Sequence, residues 1–373
     1  MSEPRLDIVV LGLSLSSSWG NGHATTFRAL INGLDRLGHR VLFLERDVPW
    51  YRDNRDMPAP PFCRLAFYDG VADLVERHGD AIRRADAVIV GSYVPEGVPV
   101  LDAVLRLARG TVGFYDIDTP VTLAKLKRGD EEYLARRQIP ELDVYFSFTG
   151  GPTLRRLEAE FGARRAEALY CSAEEAAYRP TGEAPVWDLG YLGTYSPDRQ
   201  PTLERLLIEP ARRLPHRRFV VAGPQYPADI DWPSNVERID HLGPVDHPSF
   251  YSRQRWTLNV TRADMIAAGW SPSVRLFEAG ACGTPIVSDI WPGLTDLLPD
   301  GEAIVLARTA DDVVALLEEG DEAARQRIGA AGRALVLAEH TGTARARSFA
   351  AVLRDLARQA VGREAMPLRR ELC

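Results

Sequence analysis

Apolar residues fall in short runs of four or five, separated by stretches of mixed polarity, and that spacing predicts the order of elements. The runs at 8–11, 41–44, 87–90, 111–115 and 144–148 read as buried strands of a parallel sheet. Between the first two, Phe27, Leu30, Ile31, Leu34 and Leu37 recur at helical spacing, and Gly38 with His39 supplies the stop. Helical stretches at 102–108 and 153–161 separate later runs. At 173–185 the pattern gives way to an acidic stretch with alanine and proline, and a second strand series follows at 187–192, 218–222, 257–260, 285–288 and 303–306. The charged segment 321–359 reads as helical. The fold class expected is α/β, with two doubly wound, Rossmann-like domains facing a central cleft. Their expected bounds are 1–183 and 184–345, with a helical tail at 346–373 that can pack back on the first domain.

Composition narrows the partners more than the fold. A chain of 373 residues is long enough for two cores. A net charge of −7 argues against nucleic acid or an anionic membrane as the main partner, since both require clustered positive charge. The local basic group Lys125, Lys127, Arg128, Arg136 and Arg137 reads as a solvated helical face. Cys63, Cys171, Cys282 and Cys373 show neither zinc-site nor disulfide spacing, which suggests a reducing, cytoplasmic setting. The apolar run at 8–11 is too short for a leader core, and no run reaches the length of a membrane span. Composition leaves the oligomeric state open.

Candidate chemistry begins after the first strand, where 16–26 reads SSSWGNGHATT. Gly20, Asn21 and Gly22 let backbone approach a ligand, and the amino end of the following helix presents free N–H groups. A dinucleotide fingerprint is the rival, with Glu45 as the ribose acid, but Thr25 stands at the third glycine position and 12–19 separates the loop from its strand. His23 is a candidate hydrogen-bond donor or general base, or else a packing residue of the helix start. The run 111–115 ends in Asp116 and Asp118, which suit substrate contact, a cation or a helix cap ahead of Pro120.

The most informative segment is 269–289, GWSPSVRLFEAGACGTPIVSD. Ser271 and Pro272 read as the start signal of a helix that runs from about Ser273, through Val274, to Ala281, with Gly283 as the stop. The free amides of that start can receive a diphosphate. Glu278 lies about five residues further, about 7.5 Å along the axis, where a carboxylate can accept from both vicinal ribose hydroxyls.

The chain here resembles the group-1 glycosyltransferases, and within them the CgeB-like branch. The resemblance runs through WGNGHATT, YDIDTP, YLGTYSPDRQPTLERL and SVRLFEAGACGTPIVSD. It implies the GT-B fold and transfer from a nucleoside-diphosphate sugar, UDP favoured over GDP or dTDP. No metal or other cofactor is implied, and the stereochemistry is mostly retaining. Glu278 matches the ribose-binding glutamate, and Gly193, Thr194 and Arg199 match the diphosphate-facing turn. Gly243, Pro244 and Val245 fall where the base meets the backbone. Trp270 stands where the group has an earlier glutamate, and the phosphate-binding lysine is absent, leaving Arg199 and Arg275 to neutralise the diphosphate. His23, Asp118 and Arg199 are the catalytic candidates; Gly20 to His23, Asp116 and Asp118 are the candidates for contact with a small-molecule or glycan acceptor. The alternatives are a nucleotide-sugar-binding protein without catalysis, and a GT-B epimerase or phosphorylase.

Overall fold

Ile8, Val9, Val10 and Leu11 are all buried, as a strand covered by helices on both faces requires. They form β1 (Asp7–Gly12), inside a sheet completed by β2 (Arg40–Arg46), β3 (Arg64–Tyr68), β4 (Ala87–Gly91), β5 (Thr111–Asp116), β6 (Val144–Ser147) and β7 (Ala166–Ala168). A second sheet holds β8 (Trp187–Leu192), β9 (Phe219–Ala222), β10 (Val236–Ile239), β11 (Gln254–Asn259), β12 (Ile286–Ser288) and β13 (Val305–Leu306). The computed structural model describes residues 4–19 and 22–364. All pairings in both sheets are parallel.

The strand orders are β3-β2-β1-β4-β5-β6-β7 and β10-β9-β8-β11-β12-β13. Counted from its own first strand, the second sheet runs 3-2-1-4-5-6, the doubly wound order, and the first runs the same way with a seventh strand added after the sixth. The order reverses between β1 and β4 in one sheet and between β8 and β11 in the other. Loops at the carboxyl ends of those pairs are therefore the places where a ligand is expected.

The chain divides into Met1–Tyr170 with Gly342–Cys373, and Cys171–Thr341. The expected bounds at 184 and 346 differ because residues 171–183 belong with the second unit and 342–345 with the first. Ala173 bridges to Thr341, and its amide donates to the His340 carbonyl at 3.0 Å. The expected helix at 321–359 is two helices, Glu322–Glu339 and Gly342–Glu364, and the second lies in the first unit. Its Ala346, Phe349, Ala350 and Leu353 join the core beside Phe146 and Phe27.

That docking requires backbone contact. A Cβ built on Gly33 of the first helix, Gly22–Arg36, would sit 2.3 Å from the Gly342 carbonyl oxygen. Gly33→Ala gains about 1 kcal/mol of helix propensity but overpacks rigid backbone, at a cost of about 3 kcal/mol. The expected net result is a lower melting temperature of the first unit by thermal scanning; an unchanged or higher value would detach the last helix from this seat.

At the amino-terminal edge of the first sheet, Arg83, Arg84, Arg109, Arg164 and Arg165 surround a cavity of about 760 Å³. Arg83 and Arg84 end the helix Val71–Arg84, and Arg109 follows the helix Gly97–Leu107. Cations gather there because helix carboxyl ends do. Among the described residues, no helix is long and apolar enough to cross a membrane.

Candidate functional site

In the second unit, β8 ends at Leu192 and the chain turns through Gly193 and Thr194 to Arg199, which is only 4% exposed. One Arg199 nitrogen donates to the Thr194 carbonyl, and its Nε is buried without a hydrogen-bond partner. Among the described residues no carboxylate pairs with it. Burial, and also the like charges of Arg275 and Arg262, hold its pKa below the ordinary value. A buried guanidinium facing two further arginines is costly unless an anion completes the group.

Arg275 lies in the first turn of the helix Val274–Ala281, whose cap is Ser273; the Ser273 hydroxyl accepts from the Arg275 amide at 3.4 Å and from its guanidinium at 3.1 Å. The helix expected from about Ser273 to Ala281 is found at Val274–Ala281, with Ser273 as its cap. Ser271 and Pro272 precede the cap and are buried. The positive end of this helix and three arginines make one anion-attracting group.

Glu278, further along that helix, is 6% exposed, which rules out a solvated glutamate. Its Oε2 accepts from the Tyr251 hydroxyl at 3.5 Å and lies 3.9 Å from His247 Nδ1. Strong bonds from a hydroxyl to a carboxylate measure about 2.5 to 2.7 Å, so neither contact saturates it. The Tyr178 hydroxyl also hydrogen-bonds this carboxylate, whose two oxygens can together accept about four bonds. Gly243, Pro244 and Val245 form the turn ahead of His247, with Val245 87% exposed, an apolar surface open to solvent.

Trp270 has φ 41°, in the left-handed region that a bulky residue adopts only when its surroundings hold it there. Its amide donates to the Pro292 carbonyl at 2.7 Å and its Nε1 to Asp296 at 2.8 Å. The indole covers Gly293, where a Cβ would lie 2.4 Å from the ring. At the other end of this loop, the Asp289 carboxylate accepts from the Thr261 amide and hydroxyl, each at 2.8 Å.

In the first unit the helix begins at Gly22, earlier than the apolar spacing implied, so His23 sits in its first turn. His23 packs edge-on against Tyr93, centroids 5.2 Å apart, across the β1/β4 reversal. Burial pulls the His23 pKa down to about 4, so the imidazole is neutral at neutral pH. The Tyr93 hydroxyl donates to Asp118 at 3.3 Å. Tyr93 therefore joins His23 and Asp118 into one polar group at the carboxyl ends of β1, β4 and β5.

Asp116 is corrected as a ligand contact. It is fully buried, accepting from Tyr145 at 2.6 Å and Thr122 at 2.7 Å, and burial raises its pKa to about 6. Asp118 has no side-chain capping bond at the helix that follows. The Gly193 amide, expected to face a diphosphate, donates instead to the Ala222 carbonyl at 2.9 Å. Glu45 is fully buried and accepts from the amides of Leu15 and Ser16 at 2.7 and 2.9 Å, and from the hydroxyls of Ser14 and Ser16. It braces the loop and leaves no oxygen for a cofactor ribose. Gly20 and Asn21 lie outside the described residues.

Sequence reasoning passed over Arg262, Tyr93, Tyr178, Tyr251 and His247. Only for Tyr93 was a signal at hand, a polar pair, Ser92-Tyr93, at the end of a buried apolar run.

Residues 199–351 match the family described as "Glycosyl transferase-like". Over 179 residues the chain is 29% identical to D-inositol 3-phosphate glycosyltransferase of Mycolicibacterium smegmatis. That match covers 45% of this chain and 41% of the relative, so the chain spans less than half the length of the curated relative it matches. Sucrose-phosphate synthase of Thermosynechococcus elongatus superposes with a TM-score of 0.68 at 13% identity, over 95% of this chain and 100% of that one. HepE of Anabaena, solved with UDP and glucose, superposes with a TM-score of 0.65 at 13% identity, over 94% and 100%. Two parallel-sheet, Rossmann-like domains in the same order over nearly the whole chain are the GT-B fold.

Proposed function

We propose that this protein is a glycosyltransferase that takes a sugar from a nucleoside-diphosphate donor held by the second unit. The observation that carries the reading is Arg199, buried without a carboxylate and facing Arg262 and Arg275 beside a helix amino end. A diphosphate supplies the negative charge this group lacks. Glu278 then receives the ribose hydroxyls, and the turn Gly243 to Val245 meets the base. A uridine or guanosine donor fits this reading better than a thymidine one, whose deoxyribose offers a single free hydroxyl to the carboxylate. The HepE structure holds UDP and glucose, which favours UDP.

Departure of the nucleoside diphosphate is assisted by positive charge and fixed dipoles. His23, neutral and beside Tyr93 and Asp118, acts on the acceptor in the first unit as hydrogen-bond partner or base. The CgeB-like branch, a retaining outcome and a cytoplasmic location belong to the same proposal and rest on the sequence resemblance.

A thermal-shift screen of nucleoside diphosphates and nucleotide sugars tests the donor site, because a ligand of the native state raises its melting temperature. No shift with any of them would remove the reading. With a donor in hand, excess chelator is expected to change turnover by less than about twofold if arginines, not a cation, neutralise the leaving group. Loss restored by magnesium or manganese would reverse that assignment.

The second reading, a nucleotide-sugar binder without catalysis, is favoured by Trp270, whose indole N–H is held by Asp296. Binding without donor hydrolysis or transfer would select it.

A further inference from the structure

His247 opens the helix His247–Ser252 directly after the turn Pro244–Asp246. Its side chain is 16% exposed and lies between that turn and Glu278. Nδ1 is 3.3 Å from the Tyr178 hydroxyl and 3.9 Å from Glu278 Oε2. The ring also stands edge-on to Tyr251, whose hydroxyl contacts the same carboxylate oxygen. The groups that face it are Glu278 and Arg275 from the helix Val274–Ala281, Asp246 from its own turn, Tyr251 from its own helix and Tyr178 from the segment after β7, with a hydrogen bond to the Leu242 backbone. Cys282 lies beyond them, close enough to Tyr178 and Glu278 to interact electrostatically.

We infer that His247 is a positioning residue for Glu278, and that it links the turn expected to meet the base to the carboxylate expected to meet the ribose. The inference rests on the proposed donor site. The Tyr178 hydroxyl stands between His247 and Glu278, within reach of both; a neutral ring accepts a hydrogen bond from it at Nδ1, which draws that hydroxyl off the carboxylate and leaves Glu278 to the vicinal hydroxyls. A protonated ring carries hydrogen on both nitrogens. Its Nδ1–H then turns to Glu278, the nearest acceptor with a full charge, and competes with the ribose.

The sign follows from the surroundings. Burial lowers the pKa of His247 while Glu278 opposes that shift. The neutral, ribose-competent form therefore dominates at neutral pH, and acidification removes it. An effect through Glu278 must appear on the ribose hydroxyls and not on the phosphates.

The test is calorimetric titration of UDP and 2′-deoxy-UDP into wild type, His247→Gln and Glu278→Gln, in steps from about pH 7.5 down to about pH 4.5, because burial moves this histidine below the ordinary range. If the thermal-shift screen selects GDP, GDP and 2′-deoxy-GDP replace them. In wild type the preference for UDP over the deoxy nucleotide is expected to shrink about fivefold at the lower pH. In both variants that preference should hold constant with pH. Titration of the diphosphate itself is common to both nucleotides and cancels in the ratio. A wild-type ratio that does not move with pH, or one that moves equally in His247→Gln, overturns the inference while the donor site stands. Should His247→Gln fail to fold, the wild-type ratio against Glu278→Gln still decides. Failure of every nucleotide to bind wild type overturns the donor site and this inference together.

Discussion

Glu278→Gln is expected to weaken binding of a ribonucleoside diphosphate by roughly 10- to 150-fold. A hydrogen bond to an ionised group contributes about 1.5 to 3 kcal/mol net, and 1.4 kcal/mol is tenfold in affinity. Glutamine keeps the size and one acceptor oxygen but loses the charge. Glu278 meets Tyr251 and His247 at long range and also hydrogen-bonds the Tyr178 hydroxyl; glutamine keeps an acceptor oxygen for that hydroxyl, so the folded protein should lose little stability. Glu278→Ala should bind more weakly still. The discriminating measurement is the coupling between the mutation and the ribose 2′-hydroxyl, by calorimetry with ribo- and deoxyribonucleotides on both proteins. The deoxy nucleotide should bind weakly to wild type and lose less on mutation. Equal losses for both, or none for either, would take Glu278 out of the nucleotide site.

Glu278 could be read from the chain because its helix carries its own signals: a serine cap, a glycine stop and an acid at a fixed offset between them. The strands legible as apolar runs are those buried on both faces, such as β1, β4, β5 and β8. The three passed over, β3, β7 and β10, are edge strands; β7 reads Ala-Glu-Ala and β10 Val-Glu-Arg-Ile with only Val236 buried, while the apolar run of β3, Leu65 to Tyr68, is only partly buried. An edge strand is short and less enclosed than a central one, so over three to five positions its residues show neither a buried run nor a clear alternation. Asp116 and Asp118 show the same limit at a site. Two carboxylates two residues apart at a strand end look equivalent along the chain, yet one is enclosed by Tyr145 and Thr122 and the other meets Tyr93. The pairing of His23 with Tyr93 depends on β4 lying beside β1, about 80 residues away along the chain, and no local spacing encodes that adjacency. His247 and Tyr178 reach Glu278 for a comparable reason, through a segment after β7 that carries no periodic pattern.

Arg199→Met is expected to separate binding from stability, because the two have opposite requirements at this position. Arg199 is a buried charge with like charges nearby that donates to the Thr194 carbonyl, and its Nε has no hydrogen-bond partner among the described residues. Replacing a buried ion by an apolar side chain of similar length is often neutral or stabilising by about 1 to 4 kcal/mol, against about 1 kcal/mol for the lost bond. The melting temperature without ligand should therefore hold or rise. Diphosphate binding should fall at least about 100-fold, since a guanidinium can make two charge-assisted bonds to the phosphates. The loss should depend little on ionic strength, because a buried group is weakly screened. A nucleoside without phosphates should bind wild type and variant alike, which ties the loss to the diphosphate and not to a distorted pocket. The opposite pattern, a lower melting temperature with nucleotide affinity kept, would make Arg199 a brace for the Thr194 turn. The anion would then fall to Arg262 and Arg275, whose charges are the more exposed, and the salt dependence of binding would rise accordingly.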